Sequence, residues 1–257
     1  MGFARNFVSA VTTAVCLASL LAGCATAPPA DDPDAVAEYK ENNDPLEPTN
    51  RVIYDINDSI DSAVFVPIAK GYRFAVPEPV RHGVHNLLTN ISSVPVLAND
   101  LLQGNLDGAG DTFARLAINT TIGLGGIIDV ANDWGIRQHD ADFGMTMALW
   151  GVDPGPFLFL PLLGPSNPRD LGGYVGDIAF DPVTYMTGPN WRLFSYSRFG
   201  AKAIDARERH LDDLEEIKKN ALDPYATLRS LYNQNRAQQI EQARQAREAA
   251  SGAKDDQ

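Results

Sequence analysis

The sequence predicts an all-α protein, and three observations carry that expectation. Apolar residues recur at helical spacing in several separate stretches. Several of these stretches open on a proline, whose fixed φ suits a first helical turn. Only one segment, Gly151 to Pro168, has the Gly- and Pro-rich yet apolar character of a short hairpin or an extended apolar loop.

The first residues are a leader. Arg5 stands in a short basic start, and a mostly apolar stretch from Phe7 to Leu21 follows, too short for the roughly 20 apolar residues of a membrane span. It closes on Leu21-Ala22-Gly23-Cys24. That ending resembles a bacterial lipoprotein signal, in which residues 1–23 are removed and the Cys24 thiol takes a diacylglycerol, the new N-terminus gaining an acyl chain. A plain signal peptide with an incidental cysteine is the alternative. Ala25, rather than Asp, follows the cysteine, which by analogy with bacterial lipoprotein sorting favours the outer membrane. Residues 24–43 then form a lipidated N-terminus and a disordered tether. The stretch has Pro28, Pro29 and Pro33 and no hydrophobic period.

Cys16 lies in the leader, so Cys24 is the only cysteine of the mature chain, which excludes an internal disulfide and a cysteine metal site. Arg5 is the only charge before Cys24. The 21 Lys+Arg therefore fall to 20 against 33 Asp+Glu, a formal balance of −13. Such a chain does not seek nucleic acid, and contact with lipid must rely on apolar surface and the anchor.

The helical body is expected over residues 44–232. Asp44-Pro45-Leu46-Glu47 reads as a helix start, with Asp44 as cap, Pro45 in the first position and Glu47 as capping-box partner. Leu46, Ile53 and Ile60 mark its apolar stripe. Further helices are expected over Pro79–Leu88, Pro95–Leu102 and Leu106–Ile118. Gly123-Leu124-Gly125-Gly126 ends any helix there, and Ile127–Ala131 resumes one. The apolar run Phe157–Leu163 must be buried in protein or wetted by lipid, because in water it would aggregate. From Trp191 helices return, with Ile204, Leu211, Leu214, Ile217 and Leu222 on one side and a restart at Asp223-Pro224-Tyr225. Residues 233–257 hold Ile240 as their only large apolar residue and read as a polar C-terminal tail, mobile or partner-dependent, without a core face.

Catalytic motifs are weak. Ser166 lacks the second glycine of a nucleophile elbow, and Gly123-x-Gly125 meets Ile128 where a dinucleotide loop needs its third glycine. A tight bend or a close helix approach explains those glycines better. His82 and His85 share one helical face and suit a metal only with Asp100 or Asp140 nearby. His139 and His210 sit among charges and read as solvated. Asp142-Phe143-Gly144 matches the kinase tripeptide by letters alone. Asp212-Asp213 and Glu215-Glu216 read as a hydrated helix face. No cofactor is expected beyond the covalent lipid.

A family resemblance then joins the pieces. Asp44-Pro45-Leu46-Glu47-Pro48-Thr49-Asn50-Arg51 resembles the opening motif of the MlaA (VacJ) lipoprotein family. Asn99-Asp100-Leu101-Leu102-Gln103-Gly104 and the block from Arg115 to Ala131 follow in the family's order. After them come Asp142-Phe143-Gly144, Trp150-Gly151-Val152, Gly155-Pro156-Phe157, Leu160 to Ser166, Arg169-Asp170 and Asp223-Pro224-Tyr225. Thr49 stands where the family usually has Phe, Phe157 where it has Tyr, and Ile56-Asn57 where an aromatic-Asn pair is common. The resemblance implies a ring-like arrangement of amphipathic helices held in the outer membrane from its periplasmic side. It implies a non-enzymatic role: mislocalised phospholipid leaves the outer leaflet through an amphipathic passage and goes to a periplasmic lipid-carrier protein, maintaining lipid asymmetry beside a trimeric porin. On that view Gly123, Gly125, Gly126 and Gly155 flank the passage, and Phe157, Phe159, Leu160, Pro161 and Leu163 form a wall or gate. An envelope hydrolase acting on phospholipid or cell wall, or a non-catalytic adaptor, are the competing classes.

Overall fold

The computed structural model describes residues 43–255, with side chains described to residue 250. The leader, Cys24 and all but the last residue of the predicted tether lie outside the described residues. Helix α1 (Glu47–Ile60) runs through a π-helical turn (Asp61–Phe65) into α2 (Val66–Ala75). Then follow α3 (Glu78–Gln103), α4 (Leu106–Thr121), and the short α5 (Val130–Asp133) and α6 (Phe143–Leu149). A two-stranded antiparallel hairpin, β1 (Leu158–Leu160) with β2 (Gly164–Ser166), pairs Leu158 with Ser166. Last come α7 (Pro168–Phe180), a 3-10 turn (Pro182–Tyr185), α8 (Trp191–Arg209), α9 (Leu211–Asn220) and α10 (Pro224–Asp255). The described residues are all-α apart from the hairpin, which falls inside the apolar loop.

Helix ends follow side-chain chemistry. Asn105, Asp129, Asp142 and Asn167 cap α4 to α7, each accepting from a backbone N–H three residues on. The predicted cap at Asp44 is a correction. Helix α1 starts at Glu47, and Asp44 is buried instead, accepting from Asn50 Nδ2 and Arg229 at 2.8 Å each and from the Tyr225 hydroxyl. Its carboxylate ties the start of the fold to α10.

The two helices expected at Pro79–Leu88 and Pro95–Leu102 are one, α3, about 39 Å long at 1.5 Å per residue. Pro95 lies inside it and removes one backbone bond, a cost of roughly 3 kcal/mol. Packing of α3 against α4, α6, α7 and α8 offsets that cost. The expected tail is also helical: α10 runs unbroken from Pro224 to Asp255. Ala243 is buried, and Arg236 is ion-paired to α6 and α7 residues, so residues beyond 232 do contribute inward groups.

Contacts between elements close a circuit. Helix α1 packs on β1, β2 on α10, α10 on α6, α6 on α7, α7 on α3, α3 on α8, and α8 on α2, which returns through the π-turn to α1. One aromatic cluster, Phe157, Phe159 and Tyr225 with Tyr54 and Tyr232 against it, fills the space between α1, the hairpin and α10. Most of its ring pairs meet edge to face at 5.5 to 6.4 Å, the geometry ring quadrupoles favour. Among the described residues no helix is long and apolar enough to cross a membrane.

Candidate functional site

The distribution of polarity is inverted relative to a water-soluble protein. Asn99, Asp100 and Thr146 are wholly buried, and Asn50, Gln103, Arg115, Arg169 and Arg229 nearly so. The buried large apolar side chains, by contrast, are only Leu88, Met145, Phe157, Phe159, Leu211 and Tyr225 among the described residues. Phe74 is 94% exposed and Leu193 69%, and Phe113, Leu124, Leu162, Tyr185 and Phe199 are turned outward too. Ionised groups rarely go inside unless paired, and so much outward apolar surface calls for an apolar neighbour.

The buried polar groups are matched to one another. Asn99 donates to Asp177 at 2.7 Å and accepts from Thr146 at 2.9 Å, and Thr146 accepts from Gln103 at 3.0 Å. Asp100 takes Thr112 at 2.7 Å and His139 at 2.8 Å. His139 is therefore half-buried and paired, against the expectation of a solvated side chain. Its bond to Asp100 outweighs burial and raises its pKa. His210 is exposed. His82 reaches Glu78, whereas His85 reaches Asp205 on α8, so the two histidines that share a helical face point to different partners.

On the other side of α6, Arg236 forks between Asp142 at 2.6 and 2.7 Å and Asp170 at 2.9 Å. Burial alone would raise the Asp170 carboxyl, but Arg236, Tyr232 and Arg169 outweigh it and hold it low. Among the described residues Asp177 has no cation in ion-pair contact. Burial, abetted by the Asp142 charge, pushes it up to about 6. Asp142, read from sequence as a meaningless tripeptide, is thus a cap and an ion-pair partner at once. Gly144 beside it meets Gly173 of α7, where an added Cβ on Gly173 would lie 2.4 Å from backbone.

A cleft of about 560 Å³ opens between the hairpin, α7 and α10, with Leu160, Leu163, Tyr174, Asp177, Tyr232 and Arg236 on its walls. Of the residues predicted for a gate, Leu160 and Leu163 lie here. Phe157 and Phe159 do not: they are core, 3% and 5% exposed. Pro161 leads into the hairpin turn, where Leu162 takes a positive φ. Two asparagines that sequence reasoning overlooked hold the loop. Asn50 donates to the Phe157 carbonyl at 3.1 Å and accepts from Phe159 N–H at 2.9 Å. Asn57, two turns further along α1, donates to the Leu160 carbonyl at 2.8 Å and accepts from Leu162 N–H at 3.0 Å. Their seven-residue spacing was the available signal.

The predicted glycine bend is fixed rather than loose. An added Cβ on Gly123 would come 2.2 Å from the Ile128 carbonyl, and Gly126, at φ +100°, is pressed on Asn90 of α3. Asn90 in turn donates to Thr120 at 3.0 Å and to the Gly125 carbonyl at 3.3 Å. Gly155 has φ +73° and packs on Pro168, its carbonyl accepting from Asn43 at 2.6 Å. A second cavity, of about 340 Å³, lies between α3, α4, α8 and the residues before α6.

An all-α circuit that buries a set of matched polar groups and turns many large apolar side chains outward defines a class of protein with a broad exposed apolar surface. Within that class, the model of the MlaA lipoprotein family matches residues 42–239, and the chain belongs to this family. It is 35% identical over 229 residues to the intermembrane phospholipid transport system lipoprotein MlaA of Haemophilus influenzae, covering 88% of each chain. It is 32% identical over 220 residues to the protein of that name in Escherichia coli strain K12, covering 84% of this chain and 82% of the relative. A solved structure described as the structural basis for maintenance of bacterial outer membrane lipid asymmetry superposes with a TM-score of 0.68 at 30% identity. The match covers 77% of this chain and 98% of that one.

Proposed function

We propose that this protein is an outer-membrane lipoprotein that takes mislocalised phospholipids from the outer leaflet through an amphipathic passage and hands them to a soluble periplasmic carrier, beside a trimeric porin. The observation that carries the reading is the inverted polarity. Moving a charged headgroup past hydrocarbon is costly without polar lining, and irregular backbone at membrane depth is tolerated only against protein or a watery cavity. Outward-facing Phe74, Leu193 and Phe199 suit acyl chains, as the apolar faces of interfacial helices do. The relatives named for intermembrane phospholipid transport supply the class of cargo.

In this reading Cys24 carries the acyl anchor. Leu160 and Leu163 form the movable apolar wall, while Phe157 and Phe159 root the hairpin in the core. The bends at Gly123, Gly125, Gly126 and Gly155 set the path of the flanking chain. The protein moves intact lipid and makes or breaks no covalent bond.

The test measures outer-leaflet phospholipid in cells lacking the gene and complemented with wild type or Cys24→Ala. Wild type restores asymmetry and Cys24→Ala does not; restoration by Cys24→Ala removes the anchor from the reading. Purified protein given labelled phospholipid delivers intact lipid to the carrier. Free fatty acid would instead mean a hydrolase, and neither product a structural adaptor. A disulfide engineered across the 155–164 loop stops repair, and unchanged repair removes the gate.

A further inference from the structure

Four of the six titratable groups that line the second cavity are matched within the fold. Arg115 meets Asp129 at 2.8 Å, His85 meets Asp205 at 2.8 Å, and His139 meets Asp100 at 2.8 Å. Two lining groups of opposite sign are left over, Lys202 on α8 and Asp140 ahead of α6. Among the described residues the side chain of neither makes a hydrogen bond or an ion pair, and they lie beyond ion-pair distance of each other. Lys202 is open to solvent yet closely surrounded by protein, as a cavity wall is. That crowding, with the Arg198 charge nearby, lowers its ammonium pKa. Arg198 itself is bound to Asp181 at 2.6 Å. Leu88 and Val96 of α3 give the cavity an apolar side. Its volume lies within the roughly 300–1,000 Å³ of small-molecule sites.

We propose that this cavity holds a zwitterionic phosphoester, the phosphoethanolamine type of lipid headgroup, with its phosphate on Lys202 and its ammonium toward Asp140. The inference rests on the lipid-handling reading and deepens it by naming a headgroup. A bare phosphate would meet Lys202 but also face the Asp140 charge. An uncharged glycerol head would give Asp140 nothing to bind. Only a ligand carrying both signs satisfies both leftover groups, and preference follows from the mismatch of the others.

The experiment titrates the full-length lipoprotein in a maltoside detergent with glycerophosphoethanolamine, glycerophosphoglycerol and inorganic phosphate, following heat. Glycerophosphoethanolamine binds saturably, about fivefold tighter than either competitor, the factor one solvated ion pair supplies. Lys202→Met weakens it about fivefold. Lys202→Arg retains binding. Asp140→Asn makes glycerophosphoethanolamine and glycerophosphoglycerol equal. Neither side chain has a partner in the fold, so these variants keep the wild-type unfolding midpoint, and Lys202→Arg serves as the folded control.

Equal affinity for all three compounds, or inorganic phosphate binding tightest, overturns the headgroup assignment; so does wild-type binding by both Lys202→Met and Asp140→Asn. Transfer of labelled phospholipid from vesicles is read separately. Headgroup binding without transfer overturns the transport reading and leaves the site. Transfer without headgroup binding removes the site and leaves the transport reading.

Discussion

Along α1 and α10, aromatic rings face one another: Tyr54, Phe157, Phe159 and Tyr225 shut out water as a soluble core does. Along α2 and α8 the same residue types face away from the fold, as Phe74, Phe194 and Phe199 show. What joins α2 to α8 is charge. Arg73 reaches Glu208 at 2.8 Å and its backbone carbonyl at 2.7 Å. The hairpin side thus gains cohesion from apolar burial, whereas the α8 side keeps its apolar faces free and is stitched by directional bonds. In a lipid surrounding this division is economical, because apolar contact between helices gains little where the solvent is itself apolar.

The sharpest way to break the comparison is Arg236→Ala. It leaves Asp170, buried in the cleft wall, without its main cation, and loss of one partner from a buried pair costs about 3–5 kcal/mol. Chemical denaturation in detergent reads this as a lower midpoint, which shows that residues beyond 232 hold the body together.

Next comes the Asp177 carboxyl. Its folded pKa of about 6 stands above the ordinary 3.8, so the folded protein holds this proton more tightly than the unfolded chain. The associated stability is complete below pH 3.8 and is lost as pH rises through 6. Asp177→Asn keeps an acceptor for Asn99 and Phe143 and removes the titration. The variant is therefore more stable than wild type at pH 7.5, by roughly 1–2 kcal/mol, and equal to it at pH 4. Melting temperatures across pH check the crossover.

The smallest effect on stability is expected at Phe74→Ser, within about 0.5 kcal/mol, because the ring touches little of the fold. Its effect on the surroundings is larger: flotation with vesicles weakens by about 1.5–3 kcal/mol, the worth of one buried aromatic side chain. A loss of stability without a loss of vesicle binding would place Phe74 with the soluble-like half.

Much of this was written locally in the sequence. The helix start at Leu106, the break after Thr121 and the apolar loop around the hairpin all depend on near neighbours. What escaped depends on distant partners. Asp44 reads as a helix cap until Arg229, 185 residues away, claims it. Pro95 reads as a helix start until the packing around α3 carries the helix past it. His139 reads as solvated, and the segment that holds Arg236 as a tail without a core face, for the same reason: no local pattern reveals that Asp100, Asp142 and Asp170 wait for them.

The grip of Asn50 and Asn57 on the hairpin has a consequence for redesign. Both amides seize peptide groups, which every residue type possesses, and not the identities of the residues between. Replacing the side chains at positions 160 to 163 therefore alters the surface the loop presents and leaves its attachment to α1 in place.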